Sequence, residues 1–351
     1  MSELFKPGGP HNIKRIGPNQ YSMSIAVPKD ADGMIARECP SALCSPAYFK
    51  VKPGTGVTGG QTEAFCPYCH HRDEPNNFTT KAQIEYAKQI ARQEAMNGVD
   101  QAIKNALDLG PSGEKTIGGG LISFTISYKP GQRPHIWRPF EEALRRDLTC
   151  PKCTLDHAVF GIATWCPDCG SDIFLVHVAK EYQVVKLILS DVENRRARLG
   201  ARVAARDIEN ALEDTVSIFE AVLRATTRRH LRAALSSEET EETLRKRIAN
   251  KFQSIALAAD VAQQEFGISL FSALDSDEYE TLKLIFEKRH PITHNLGIVD
   301  RKYLERVASG ELEGRDVHVS VEEVSQAIEL CIKVLSDFYL KVFPSALSLQ
   351  G

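Results

Sequence analysis

Eight of the nine cysteines fall into two sets of four, and thiols grouped in this way are metal ligands. Cys150-x2-Cys153-x12-Cys166-x2-Cys169 places two short knuckles on either side of a hairpin-length insert. That spacing lets four thiolates converge on one Zn2+ at about 2.3 Å each. Pro151 and Pro167 suit tight turns, and Gly170 tolerates a positive φ. The earlier set, Cys39-x4-Cys44-x21-Cys66-x2-Cys69, has a first knuckle two residues wider. It reads as a second four-cysteine zinc site, with His70 or His71 as an alternative fourth ligand. Disulfides or redox pairs are the competing reading. The opening residues do not read as an export signal, and thiols in a reducing cytoplasm stay reduced. Four protein ligands leave no open coordination position, so both ions are expected to be structural and no catalytic metal is expected. Cys331 sits in an apolar helical seam and reads as a small buried hydrophobe.

The second chemical constellation is EKRHPITHNLGIVDRKYLE, residues 287–305. Arg289 follows Leu282 by seven residues and Phe286 by three, a register that turns a permanent cation toward a helix bundle. There it needs an anion or a dense set of acceptors. Pro291 is expected to interrupt the helix, with His290 and His294 flanking the break. Imidazoles trade protons near neutral pH, and a guanidinium binds non-bridging phosphate oxygens. The set therefore suits phosphate chemistry. His294 is expected to be the acid/base, Arg289 the phosphate and transition-state ligand, and His290 a positioning or secondary proton group. In an unbroken helix Arg289 and His294 would stand about 140° apart. Either the Pro291 break realigns them or a second subunit completes the site.

Arg289-His290-Pro291-Ile292-Thr293-His294 resembles the R-x(4–6)-H signature of the HEPN domain, and GIVDRKYLE is similar to what often trails it in bacterial members. The resemblance covers roughly 180–345 and leaves the cysteine modules outside. It implies an all-α bundle of four to five helices. It also implies a metal-independent endoribonuclease acting by 2′-hydroxyl transesterification in an antiphage or toxin–antitoxin system, with an active site at a homodimer interface. RNA is then the substrate, and an antitoxin or other defence protein a partner. The alternative is a non-catalytic zinc-ribbon adaptor for nucleic acid or protein, using the bundle for dimerisation.

Two basic stretches bear on substrate. NRRARLGARVAAR, residues 194–206, carries five arginines without an acid, and RATTRRHLR, residues 224–232, carries four. On one helical wheel Arg198, Arg202, Arg206, Arg224 and Arg228 share a side, a possible phosphate-contacting ridge. Glu209, Glu213 and Glu220 lie on the same side, which is also the pattern of a solvated, ion-paired face.

The elements that must carry these residues follow from periodicity. Residues 1–78 read as an N-terminal segment, with a short strand at Tyr21–Val27, leading into the first ribbon. Residues 79–145 read as a connector, with a helix from an N-cap at Thr79 or Thr80 to about Arg92 and a second over Val99–Leu109. A half-buried strand follows at Ile122–Tyr128. The loop GPSGEKTIGGG only superficially resembles a phosphate-binding loop, since Glu114 stands where the pattern needs glycine. Residues 146–178 read as the second ribbon, closed by a strand at Ile173–Val178. Residues 179–351 read as the helical bundle. Its stripes are Ile208/Leu212/Phe219/Val222, Leu244/Ile248/Phe252/Ile255/Ala259, Tyr279/Leu282/Ile285/Phe286 and a long seam from Val321 to Val342. Lys+Arg 43 against Asp+Glu 46 gives a net charge of −3, so nucleic-acid contact has to come from a local patch. No run reaches the roughly 18 apolar residues of a membrane span. A cytoplasmic chain is expected.

Overall fold

Small antiparallel sheets and one long helix make up the described N-terminal part of the protein, and helices the C-terminal half. The computed structural model describes residue 5 and residues 8–18, 20–57, 60–118, 123–131, 136, 145–307 and 310–349. Most of the stretch joining the strand Ile122–Tyr128 to the second ribbon, and Ile122 itself, lie outside them.

A small hairpin opens the fold, β1 (Lys14–Gly17) with β2 (Gln20–Ser22). The expected strand to Val27 stops at Ser22. Next come β3 (Ile35–Glu38), β4 (Tyr48–Val51) and the two-residue strands β5 (Ala64–Phe65) and β6 (Arg72–Asp73). Helix α1 (Lys81–Ala106) starts at a capping box between Thr80 and Gln83, so Thr80 is the N-cap. It runs unbroken where two helices were expected, because Asn97-Gly98 takes no turn there. Strands β7 (Glu114–Ile117) and β8 (Phe124–Ser127) form a separate hairpin, and Phe124 is exposed rather than half-buried.

Strands β9 (Arg146–Thr149) and β10 (Asp156–Val159) then join β3 and β4 in one antiparallel sheet of order β3-β4-β10-β9. The two cysteine segments, which read as separate modules, therefore share a sheet and one small core. That core contains Phe49, Phe78, Leu148, Leu155, Val159 and Ile173. The knuckles repeat each other about a pseudo-two-fold axis. Phe65 N–H donates to Pro167 O at 2.8 Å, and Trp165 N–H donates to Pro67 O at 3.1 Å. His70 at φ 61° and Gly170 at φ 65° hold the same left-handed position. At Gly170 a Cβ would meet the Phe65 ring at 3.1 Å, so only glycine fits there.

The expected strand at Ile173–Val178 is instead the start of a helix, α2 (Phe174–Ser190). Asp172 Oδ1 accepts from Phe174 N–H at 3.0 Å and turns the chain into the helix. Gly200 at φ 94° separates α3 (Val192–Leu199) from α4 (Ala201–Leu231). Helix α4 is the axis of the bundle and packs against α2, α3, α7 (Ser276–Asn295) and α9 (Val321–Val342). Its buried Thr215, Thr226 and Thr227 donate their hydroxyls to carbonyls four residues back, which satisfies polar groups on an otherwise apolar stripe.

The stripe from Leu244 to Ala259, which reads as one helix, is broken into pieces. Helix α5 (Ser237–Thr243) runs into a π turn at Leu244–Ile248 and a 3-10 turn at Lys251–Gln253 before α6 (Ile255–Phe266). All four leading stripe residues remain buried, so burial is kept while the helix is not. A short α8 (Arg301–Arg306) lies between α7 and α9. Cys331 is fully buried in the α9 seam. No helix among the described residues is long and apolar enough to cross a membrane.

Candidate functional site

The four thiols of each set converge. Cys39, Cys44, Cys66 and Cys69 lie within 4.8 Å of one another, as do Cys150, Cys153, Cys166 and Cys169. Sulfur separations are 3.7 Å for Cys39–Cys69 and 3.5 Å for Cys44–Cys66. In the second set they are 3.8 Å for Cys150–Cys169 and 3.5 Å for Cys153–Cys166. A tetrahedron of sulfurs around Zn2+ has edges of about 3.8 Å, so the spacing fits. Backbone N–H groups of Tyr68 and Asp168 point at Cys66 Sγ and Cys166 Sγ, at 3.4 and 3.5 Å. Such donors orient thiolate ligands. Cysteine neighbours push the Cys66 and Cys166 thiols far up, while hydrogen bonds from those neighbours hold Cys69 and Cys169 down. Burial pushes Cys153 up to about 12. Four thiolates, two of them buried, cannot share one spot without a cation between them. Either set could hold a metal ion. His70 and His71 are turned elsewhere: His70 stacks on Trp165 with centroids 4.0 Å apart, and His71 Nε2 lies 3.5 Å from Asp73.

The second constellation sits at the C-terminal end of α7. The helix does not break at Pro291, as the sequence suggested, but continues to Asn295 and ends in a left-handed Leu296 at φ 52°. Packing of the buried Pro291 and Ile292 holds the helix through the proline, although the bond its missing N–H would give to the carbonyl four residues back is lost. The realignment expected of the proline is therefore absent. Arg289 and His294 point to sides of one helix about 140° apart. His290 and His294 share a face, with ring centroids 5.0 Å apart and a 57° tilt. His294 is exposed and His290 half-buried. Burial first, then the nearby Arg306 and His294, lower the His290 pKa from its ordinary value.

The cation fully turned into the bundle is Lys288, not Arg289. Lys288 is 6% exposed and donates to Glu323 Oε1 at 2.6 Å and His318 O at 2.7 Å. Arg289 sits one residue round the helix, half-buried in the seam between α7 and α4. Its Nη1 donates to Gln253 Oε1 at 3.5 Å, and its Nε is enclosed with no partner among the described residues. No carboxylate pairs with it among those residues. Gln253 Nε2 in turn donates to Glu220 Oε2 at 2.9 Å, and Thr293 donates to Glu213 Oε1 at 2.9 Å. Sequence reading missed Gln253, because it lies in a 3-10 turn that the apolar stripe disguised as helix.

The basic stretches separate in space. Gly200 puts Arg198 on a different helix from Arg202, so the five-arginine ridge does not exist. Arg202 and Arg206 both pair with Glu209, at 3.2 and 2.7 Å, and form an ion-paired face. Arg229 is a clamp between the two halves of the protein. It pairs with Asp172 at 2.6 Å, donates to the Tyr339 hydroxyl, and stacks 4.2 Å above Trp165 and 3.9 Å above Phe343. Beside the clamp, Arg224, Arg228 and Arg232 line a cleft of about 460 Å³ between α4 and the first cysteine knuckles. The i,i+4,i+8 spacing of that row is visible in the sequence once α4 is delimited.

Comparison with known protein-family models, with curated proteins and with solved structures finds no match to this chain.

Proposed function

We propose that the protein is a metal-independent endoribonuclease of the HEPN type, with Arg289, His294 and His290 as its active-site residues and RNA as its substrate. The observation that carries the reading is Arg289 itself. It is a half-buried guanidinium without a carboxylate among the described residues, next in the chain to the first of a pair of imidazoles on the adjoining face of α7. A cation enclosed in that state costs desolvation energy unless an anion completes it. A phosphodiester is the anion that the neighbouring imidazoles can process.

One imidazole takes the proton of the ribose 2′-hydroxyl, and the 2′-oxygen bonds to phosphorus. The phosphorus–O5′ bond breaks, and the departing 5′-oxygen takes a proton from a second histidine in its imidazolium form. The products are a 2′,3′-cyclic phosphate and a 5′-hydroxyl. Arg289 holds the non-bridging oxygens as charge builds on them. His294 is the acid/base, and His290 is the positioning group or secondary proton carrier.

Because α7 holds Arg289 and His294 on different sides, both reach one phosphate only if a second copy contributes one of them. Leu296 lies beside His294 at the end of α7 that a second copy would have to approach. It is the next residue but one after His294, 77% exposed, and the most exposed large apolar side chain among the described residues. The two cysteine sets are structural zinc sites in this reading. The biological setting is a defence or toxin system of a bacterial cytoplasm.

The test is incubation of purified protein with end-labelled RNA without added divalent cation. Fragments ending in 2′,3′-cyclic phosphate are expected, with Arg289→Ala and His294→Ala slower by about 10²–10⁴-fold. RNA that is bound but left intact by wild type would replace the enzyme with an adaptor.

A further inference from the structure

The cleft between α4 and the first cysteine knuckles has the form of a binding groove, and its arginines are held in a state ready for an incoming polyanion. Arg224, Arg228 and Arg232 stand in one row over two turns of α4, a length of about 12 Å. Arg228 grips Glu241 with two parallel bonds, Nε to Oε1 at 2.7 Å and Nη2 to Oε2 at 3.0 Å. Arg232 Nη2 reaches the same carboxylate at 3.3 Å, while its Nε is enclosed with no partner among the described residues. Fork-to-fork contact with a carboxylate is the geometry with which arginine also grips a phosphate. Glu241 therefore marks the place of a phosphate. Its side chain is 47% exposed, and exposed pairs of this kind are worth little, so a better anion displaces it.

At the lower end of the row, Arg224 donates to Glu220 Oε1 at 2.9 Å and to Ala249 O at 2.5 Å. Ala249 adopts φ 46°, a left-handed conformation that is costly for alanine, immediately after the π turn. Strain and π turns of this kind collect at functional positions. The row then continues through Glu220 and Gln253 to Arg289. Opposite the arginines, the wall is the exposed edge of the His70–Trp165 stack. The row is not there merely to balance the thiolates of the first set, since Glu220 and Glu241 add negative charge against it.

We infer that this cleft binds a segment of single-stranded nucleic acid, with consecutive phosphates on Arg232, Arg228 and Arg224 and the strand directed toward Arg289. Choosing RNA rests on the ribonuclease reading; the groove does not. A cationic groove that tracks the backbone is how single strands are held, and the row of arginines supplies it here.

The experiment is fluorescence anisotropy of a fluorescein-labelled single-stranded RNA on the full chain, over a range of salt. Arg228→Ala/Arg232→Ala is expected to weaken binding at least tenfold and to lower the salt slope by about 1.4, or 0.7 per lost phosphate contact. Arg202→Ala, ion-paired to Glu209 and outside the lining of the cleft, should bind as wild type does. Repeating the titration with a 2′-O-methyl strand, which has no 2′-hydroxyl to react, keeps this result distinct from failure of the cleavage reading. Glu241→Gln removes the competing carboxylate and should tighten binding several-fold, a gain that misfolding cannot mimic. Unchanged or weaker binding by Glu241→Gln would overturn the inference. So would unchanged binding by the double variant, or equal competition by polyglutamate of matched charge.

Discussion

Lys288 and Arg289 are neighbours on one helix, and their different fates show what fixes the position of a buried charge. Lys288 has a carboxylate and a carbonyl in reach, and the bundle closes over it. Arg289 has only Gln253 and is left half-open at the seam. The register argument from Leu282 and Phe286 named Arg289 as the cation facing the bundle, and Lys288 takes that place instead, because partners on α9 are invisible from α7. His157 is a sharper case. It lies in the middle of β10, fully buried, with Nε2 unpartnered among the described residues. Burial drops its pKa to about 4, against an ordinary value near 6.5. The unfolded chain thus takes up the proton first, and stability is complete above pH 6.5 and falls as pH drops toward 4. The loss is about 3 kcal/mol when the window has been crossed. His157→Leu should flatten that part of the stability–pH curve relative to wild type in denaturant titrations, and be no less stable at pH 7. An unchanged slope would mean that His157 is not the group responsible.

At the level of elements, spacing made some features legible and hid others. Metal-ligand spacing gave both cysteine sets, and a 3.6 period gave α4, α7 and α9 in outline, while the start of α2 was read as a strand. The duplication of the ribbon was hidden, although Cys66-Pro67-Tyr68-Cys69 and Cys166-Pro167-Asp168-Cys169 have the same form. The inserts differ in length, and only the pairing of β4 with β10 makes the equivalence plain. Pro291 misled because local propensity forbids what packing around Ile292 enforces. The Leu244–Ala259 stripe misled because burial alone does not distinguish a helix from a string of turns. The shared sheet has a consequence for the metals. Cys39, Cys66, Cys150 and Cys166 belong to one core, so neither site folds independently of the other. Cys169→Ser should therefore leave less than one zinc per chain against about two in wild type, and any ion retained should pass to a chelator at least tenfold faster. One ion retained with unchanged release kinetics would show two independent modules.

Across the whole molecule, the clamp made by Arg229, Asp172, Trp165 and Tyr339 fastens the cysteine sheet to the bundle. His177 adds a second fastening: its Nδ1 accepts from Ala163 N–H at 2.8 Å, and Glu181 links its Nε2 to Arg146. The sheet is thus held against α4 beside the arginine row, and the row leads to Arg289. Such an arrangement positions a strand; cutting it requires Arg289 and His294 on the same phosphate, which an unbroken α7 denies to one chain. The direct measurement is RNA cleavage by wild type, by Arg289→Ala, by His294→Ala and by an equimolar refolded mixture of the two variants. In a mixed dimer one of the two shared sites keeps both residues. Wild type should therefore cut, each variant alone should not, and the mixture should recover about a quarter of wild-type activity. RNA left whole by wild type, or a mixture as inert as its parts beside an active wild type, would contradict a shared Arg289–His294 site.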